Sequence, residues 1–173
     1  MKNRKRGFSL VELLIVLAVI AALIATITPV ALNAIRKSKA TQVAQNLKTL
    51  ASAIENAAYV NGVFRTGEEN AGKIRNASNN KPIKLEDLGR DINTKEYAVY
   101  YGGASGSYTA VVAFVGEAEI ELVDDVLPQA TETDSFVTAD LVGHTSPFEV
   151  EGTEISTDYS GTAIYYRISF DVY

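Results

Sequence analysis

A single acid, Glu12, lies at the start of a long apolar run and is the residue of this chain best placed to do chemistry. From Leu13 to Ile35 the sequence has no charged side chain. A carboxylate in a membrane helix costs about 2.5 to 3.5 kcal/mol at the bilayer centre and less near an interface, so it needs a partner. No Lys, Arg or His lies between Phe8 and Ile35. The cation must come from an N-terminal amine or another chain; the alternative is that Glu12 rests among lipid headgroups.

The other chemistry-bearing residues do not form a recognisable catalytic motif. The only histidine, His144, lies between glycine and a Thr-Ser-Pro stretch that indicates a turn. There is no Gly-x-Ser-x-Gly nucleophile elbow, and Ser105 and Ser107 flank Gly106 without forming one. With no cysteine in the chain, disulfides, thiolate metal sites and cysteine nucleophiles are excluded. The sequence therefore predicts no catalytic residue, no metal and no cofactor, and a protein that is not an enzyme.

One acidic stretch could hold a cation. Glu117, Glu119 and Glu121 alternate with apolar residues, so a strand would place three acids on one face and three apolar groups on the other. This pattern favours a solvated face. With Asp124 and Asp125 close by, the stretch also offers oxygen ligands for calcium, although the EF-hand spacing is absent. The alternation fits a strand, and calcium stays open as an alternative use of these acids.

The apolar run from Leu13 to Ile35 is long enough to cross a membrane, because about 20 apolar helical residues span the hydrocarbon core. Positive charge before a first span keeps that end in the cytoplasm, so the chain after Ile35 should be exported. A plain secretory signal would have a shorter apolar core, no acid within it and an Ala-x-Ala cleavage site behind it. This chain instead has a longer core, the acid Glu12 and no Ala-x-Ala triplet in the apolar run. The basic residues that precede the span are Lys2, Arg4, Lys5 and Arg6.

The sequence from Gly7 to Glu12, Gly-Phe-Ser-Leu-Val-Glu, follows a short basic leader and precedes a long apolar helix. In this order it closely resembles the N-terminus of bacterial type IV pilins and of type II secretion pseudopilins. The resemblance extends from Gly7 to about Arg36. It implies that a membrane prepilin peptidase and methyltransferase cuts between Gly7 and Phe8 on the cytoplasmic side and methylates the new N-terminus at Phe8.

The resemblance also gives roles to two residues of the helix. It implies that Glu12 pairs with the N-terminal amine of a neighbouring subunit and so sets axial register during assembly. Pro29 matches a mid-helix proline common in the family. Proline has no N–H and costs about 3 kcal/mol inside an ordinary helix, so Pro29 predicts a kink. Neighbouring helices often tolerate such bends, whereas the family suggests that this segment can melt and stretch.

Apolar residues continue at helical spacing beyond the span, which predicts an amphipathic second half of the same helix. Asn61-Gly62 supplies a helix stop, and a helix from Phe8 to Tyr59 would be about 78 Å long. The expected domains are a removed leader at 1–7, a membrane and filament-core helix at 8–35, an amphipathic helix at 36–60, and a β-rich head at 61–173. The apolar stripe consists of Val43, Leu47, Leu50, Ile54 and Ala58.

The head sequence predicts an α+β fold, with the long helix packed on an antiparallel sheet. A polar loop should run over 61–84, followed by a helical turn at 85–89. Strands are predicted at 97–101, 108–115 and 163–173, with a glycine-rich hairpin connection at 102–106. In the last strand, Ile164, Tyr166, Ile168, Phe170 and Val172 should share one face. Residues 126–158 predict only loops and short strands.

Charge argues against nucleic-acid binding. The full chain has a net charge of −5, and loss of the four positive side chains of the leader would leave −9. Broad phosphate binding requires clustered Lys and Arg, so no specific nucleic acid is predicted as a partner. The basic cluster Arg36, Lys37 and Lys39 follows the span, where it should solvate the helix as it leaves the membrane.

Together these features predict a structural subunit that polymerises with itself into a type IV pilus or related filament. Its other partners would be prepilin peptidase, an inner-membrane assembly platform and membrane lipid before assembly. It would begin as a single-pass inner-membrane precursor and end in a periplasmic or extracellular filament. Alternatives are a secretion pseudopilin, a DNA-uptake minor pilin, a membrane-anchored enzyme, and an adhesin. For an adhesin, exposed tyrosines would be the sign, with Tyr97, Tyr100, Tyr101 and Tyr108 as candidates, although sheet packing explains them more simply.

Overall fold

The computed structural model describes residues 8–104, 106–143 and 147–172. One helix, α1 (Leu10–Asn61), occupies 52 residues and continues through Pro29. It ends where Gly62 takes a left-handed φ of +72° and donates its N–H to the Ala58 carbonyl at 3.1 Å. Glycine adopts this conformation without steric cost, which is why it ends helices. The predicted continuous helix and its stop are confirmed.

Contacts divide the chain into two units after Ser38. In the second unit, α1 buries one stripe of side chains at spacings of three and four, as an amphipathic helix should. All five residues of the predicted stripe belong to it. The buried residues of α1 are Ala40, Val43, Ala44, Leu47, Leu50, Ala51, Ile54 and Ala58.

The head contains a five-stranded sheet in which every neighbouring pair is antiparallel, in the order β3-β5-β2-β1-β4. Its core cluster joins the α1 stripe to β1 and β2 side chains such as Val99, Val112 and Phe114, so the predicted α+β architecture is confirmed. The strands are β1 (Tyr97–Ala104), β2 (Ser107–Phe114), β3 (Ala130–Val137), β4 (Phe148–Glu149) and β5 (Asp158–Asp171), and the short helices are α2 (Leu85–Leu88), α3 (Ile120–Asp124) and α4 (Thr138–Val142).

A second, smaller core cluster is also present in the head. It includes Tyr100, Val111 and Phe136, and Val142 of α4. Tyr100 and Val111 alternate along their strands with Val99 and Val112 of the main cluster, so the two clusters use opposite faces of the sheet. The centre of the sheet is therefore buried on both faces, a feature that the sequence did not predict.

The alternating acids do not lie in a strand, although their pattern fits one, because residues 120–124 form α3. The helical turn buries Val123 and, four residues later, Leu127. Glu117, Glu119 and Glu121 are still exposed, so the predicted solvated face is correct in position.

The hairpin between β1 and β2 is tighter than predicted. The strands pair as far as Ala104 and Ser107, so Gly102 and Gly103 belong to β1 and not to the connection. A Cβ on Gly103 would lie 2.1 Å from the Ser107 carbonyl oxygen. This glycine is therefore required by close approach of the two backbones.

Other predictions for the head are confirmed in part. The chain over 62–84 has only isolated bridges, as expected of a connecting loop, and α2 forms the predicted helical turn. The final strand is present but begins at Asp158, with Ile164, Tyr166, Ile168 and Phe170 facing the main cluster. Residues 126–158 were predicted to form only loops and short strands, but they contain the eight-residue strand β3 and the short helix α4.

Candidate functional site

The candidate site is the N-terminal end of α1, where Phe8 and Ser9 precede the first helical residue, Leu10. Ser9 is the N-cap: its carbonyl accepts the first helical bond, from the Leu13 N–H at 3.2 Å. Its hydroxyl oxygen accepts the Val11 N–H at 3.3 Å. A helix start leaves four N–H groups without helical partners, and a serine side chain satisfies one of them.

Glu12 completes this arrangement. Its Oε2 accepts the Ser9 backbone N–H at 2.9 Å, so the third residue of the helix reaches back to the N-cap. Serine and glutamate three residues apart form a capping box, in which each side chain satisfies a backbone donor. The apolar surroundings of Glu12 in the sequence predicted only an ionic partner, and this local hydrogen bond was not predicted. The Ser-x-x-Glu spacing is the signal that would have found it.

The capping bond leaves Glu12 with acceptor capacity. A carboxylate has two oxygens and about four lone-pair sites, and the Ser9 N–H uses one of them. The negative charge also lies in the first turn of the helix, where the helix dipole favours an anion. A cation approaching this end of the helix would therefore meet a carboxylate already fixed in direction.

The predicted scissile junction is only partly described. Gly7 and the rest of the leader, residues 1–7, lie outside the described residues. Phe8 is described, and its residue surface is 82% exposed. Its backbone is not part of α1, which begins two residues later. Cleavage at Gly7 and methylation at Phe8 therefore remain predictions.

The first part of α1 exposes its apolar side chains all round. From Leu10 to Ile35, every large apolar residue of the helix is exposed. By length and composition, α1 is the one helix among the described residues that is long and apolar enough to cross a membrane. Signal sequences near an N-terminus share this length and composition, and Glu12 at the start of the apolar run distinguishes α1 from a plain signal sequence.

Pro29 lies inside this exposed part of the helix. Because proline lacks an N–H, the carbonyl four residues earlier, on Ala25, has no helical donor. Two threonines bond to carbonyls in the same turn: the Thr26 hydroxyl donates to the Leu23 carbonyl at 2.9 Å, and the Thr28 hydroxyl donates to that of Ile24 at 2.8 Å. Threonine bonds of this kind tend to bend helices, and a kink at Pro29 remains a prediction.

The head gives no support to the adhesin interpretation of its tyrosines. All four candidate tyrosines are buried, so they pack within the sheet and core, as the alternative to adhesion predicted. They are Tyr97, Tyr100, Tyr101 and Tyr108. The Tyr100 hydroxyl donates to the Ile155 carbonyl at 2.7 Å. Burial raises the pKa of both Tyr100 and Tyr101 above the ordinary value for tyrosine. These hydroxyls remain protonated and serve as structural hydrogen-bonding groups.

The other head candidates are described only in part. His144 and Ser105 lie outside the described residues. Ser107, which is described, hydrogen-bonds through its hydroxyl to the Asp171 carboxylate. Among the residues that the structure describes, no group of three or more His, Cys, Asp or Glu side chains is placed to hold a metal ion. The acids of the calcium alternative therefore do not converge in this structure.

Comparison with known proteins identifies the N-terminal region only. The model of the prokaryotic N-terminal methylation motif matches residues 2–28. Searches of curated proteins and of solved structures found no significant match. The matched segment includes the capping box, Glu12 and much of the exposed part of α1. Residues 2–28 therefore carry the prepilin-type signal of type IV pilins and pseudopilins.

Proposed function

We propose that this chain is the precursor of a filament subunit, which polymerises through α1 after its leader is removed. The observation that carries the proposal is a contrast within one helix. Up to Ile35 the large apolar side chains of α1 are exposed, whereas beyond Ser38 one stripe of the same helix is buried in the head core. A soluble protein rarely exposes so long an apolar surface unless a membrane or a partner covers it.

Two environments would cover the apolar surface in turn. Membrane lipid would surround it in the precursor, because the segment from Leu13 to Ile35 is long enough to span a bilayer. In the filament, the same segments of many copies would pack together as a helical core. Contacts between identical subunits that repeat head to tail without closing generate helical filaments.

Glu12 would direct this assembly. Removal of residues 1–7 leaves an amine on Phe8, and the Glu12 carboxylate of one subunit would pair with the Phe8 amine of another. The capping bond supports this role because it fixes the carboxylate while leaving acceptor sites open. In an apolar core, such a pair would form at one axial position and so set the register between subunits.

Pro29 would contribute a bend to the packed core. The proline and the two threonine hydroxyls weaken the regular bonding of one helical turn. A bent segment would let helices with attached heads approach one another in the core. Local melting at this turn is the further expectation that the resemblance supplies.

The expected route begins in the inner membrane, with the basic leader in the cytoplasm and the head outside. Prepilin peptidase would cut between Gly7 and Phe8 and methylate Phe8, and an inner-membrane assembly platform would lift the mature subunit into the filament. Because pilins and pseudopilins share the matched signal, a type II secretion pseudopilin is the second candidate, and a DNA-uptake minor pilin is a third.

The test is to express the chain with a complete assembly machinery and compare material sheared from the cell surface with the membrane fraction. Intact mass should show loss of residues 1–7 and gain of one methyl group, and Gly7→Val should remain uncut because it crowds the scissile bond. The mature chain should appear in sheared filaments. If it is processed but never leaves the membrane, polymerisation is wrong; if its N-terminus lies elsewhere, processing at Gly7 is wrong.

A further inference from the structure

We propose that the Ser9–Glu12 capping box positions the scissile bond for prepilin peptidase, so that Ser9 and Glu12 act as positioning residues before Glu12 acts in assembly. The inference rests on the proposed processing between Gly7 and Phe8. Three bonds carry it: Val11 N–H to the Ser9 hydroxyl, Ser9 N–H to Glu12 Oε2, and Leu13 N–H to the Ser9 carbonyl. Together they fix the start of α1 at Leu10.

The position of the helix start matters because of what a protease must reach. A backbone within a helix has its N–H and C=O groups bonded internally, whereas an extended segment can offer them to a partner. With Ser9 as the N-cap, Phe8 lies outside the helix and is largely exposed. Water can then hydrolyse the bond between the Gly7 carbonyl carbon and the Phe8 nitrogen, leaving a carboxylate on Gly7 and an amine on Phe8.

The capping box holds this arrangement against two competing states. In one, the helix extends upstream across the scissile bond; in the other, its first turn frays and Phe8 loses its fixed position. Serine at the N-cap disfavours both states, since its side chain satisfies a donor only when the helix starts immediately after it. Alanine is a poor N-cap but the best residue for a helix interior, so it would favour extension.

The test uses the full-length precursor in detergent with purified prepilin peptidase, and measures initial cleavage rates. Replacing an N-cap serine with alanine typically shifts the helix-start equilibrium by about fivefold. We therefore expect Ser9→Ala and Glu12→Ala to be cut more slowly than the wild type, by up to about fivefold. Ser9→Thr and Glu12→Gln keep a capping group and should stay within about twofold of the wild-type rate. Ser52→Ala, at an exposed position of the same helix, is the matched control.

The variants separate capping from charge. If Glu12→Gln is cut as slowly as Glu12→Ala, the carboxylate charge and not the cap governs cleavage, and the inference is overturned. Wild-type rates for both alanine variants would overturn it as well. Failure of the wild type to be cut at Gly7 would instead refute the proposed processing. Hydrogen exchange at the Ser9 and Val11 amides gives a second measurement, with faster exchange expected in the alanine variants.

Discussion

The division of α1 into an unpacked part and a packed part predicts opposite outcomes for one substitution at two positions. Leu47 is fully buried in the core of the head, whereas Leu17 is 54% exposed in the apolar segment. Replacing a buried leucine with alanine removes apolar contacts and leaves a cavity, at a cost of about 2 to 5 kcal/mol. Replacing an exposed leucine outside the head should leave head stability unchanged within about 0.5 kcal/mol.

The stability that Leu47→Ala would remove is a large fraction of the free energy of unfolding of the head. A domain of this kind has an unfolding free energy of about 5 to 15 kcal/mol. One kcal/mol corresponds to about 3 to 5 °C in Tm for a domain of this size, so Leu47→Ala should lower the Tm of the head by roughly 10 to 20 °C. The assay is thermal unfolding of detergent-extracted mature protein, followed by near-ultraviolet circular dichroism of the buried tyrosines.

The comparison has a clear refuting result. If Leu17→Ala lowers the head Tm as much as Leu47→Ala does, the apolar segment is part of the cooperative unit of the head. If neither variant changes Tm, the buried stripe of α1 does not stabilise the head. Either result would contradict the division of the helix that supports the proposed function.

Two further predictions concern the head alone. A chain beginning near Arg36 should be soluble and unfold cooperatively, because the stripe from Ala40 onward is kept and the exposed apolar segment is gone; aggregation or a broad transition in circular dichroism would refute this. Gly103→Ala should destabilise the head by about 1 to 3 kcal/mol in urea unfolding, because its Cβ would clash with the Ser107 carbonyl, and unchanged stability would show that the hairpin shifts freely.

Long-range periodicity made the helix predictable from sequence. The α1 stripe repeats at helical spacing over several turns, and Gly62 marks the end in a left-handed conformation that glycine adopts without steric cost. The final strand was predictable for a similar reason, because its apolar residues alternate over many positions. Both patterns repeat over many positions, which distinguishes them from short chance matches.

Short or polar patterns failed for physical reasons. Six alternating residues at 117–122 fit a strand, but Val123 and Leu127 gain burial by forming a helical turn. β3 lies at an edge of the sheet, and Glu132 and Asp134 are exposed on it, so its sequence carries little apolar alternation. Such a strand is specified by its pairing with β5, which the sequence alone does not display.

The sequence predicted that Glu12 belongs to the site, but not the hydrogen bonds that this residue makes. Glu12 is conspicuous because it is the one acid beside a long apolar run, and this gave its proposed ionic role. Its bond to the Ser9 N–H depends on where the helix starts, which apolar composition does not fix. The structure thus adds a local function for Glu12, and the two functions can be separated experimentally because glutamine can cap a helix without carrying charge.

The most direct test of the central claim is the filament yield of Glu12→Gln, with Glu121→Gln as a control at an exposed head acid. Glutamine should preserve the cap, membrane insertion and processing, but leave the neighbouring Phe8 amine without its counter-charge, a loss of about 3 to 5 kcal/mol for each added subunit. Immunoblots of sheared filaments and of the membrane pool should show filaments nearly lost and processed monomer accumulating, with the control unchanged. Normal filament yield from Glu12→Gln would contradict the proposed role of this carboxylate in assembly.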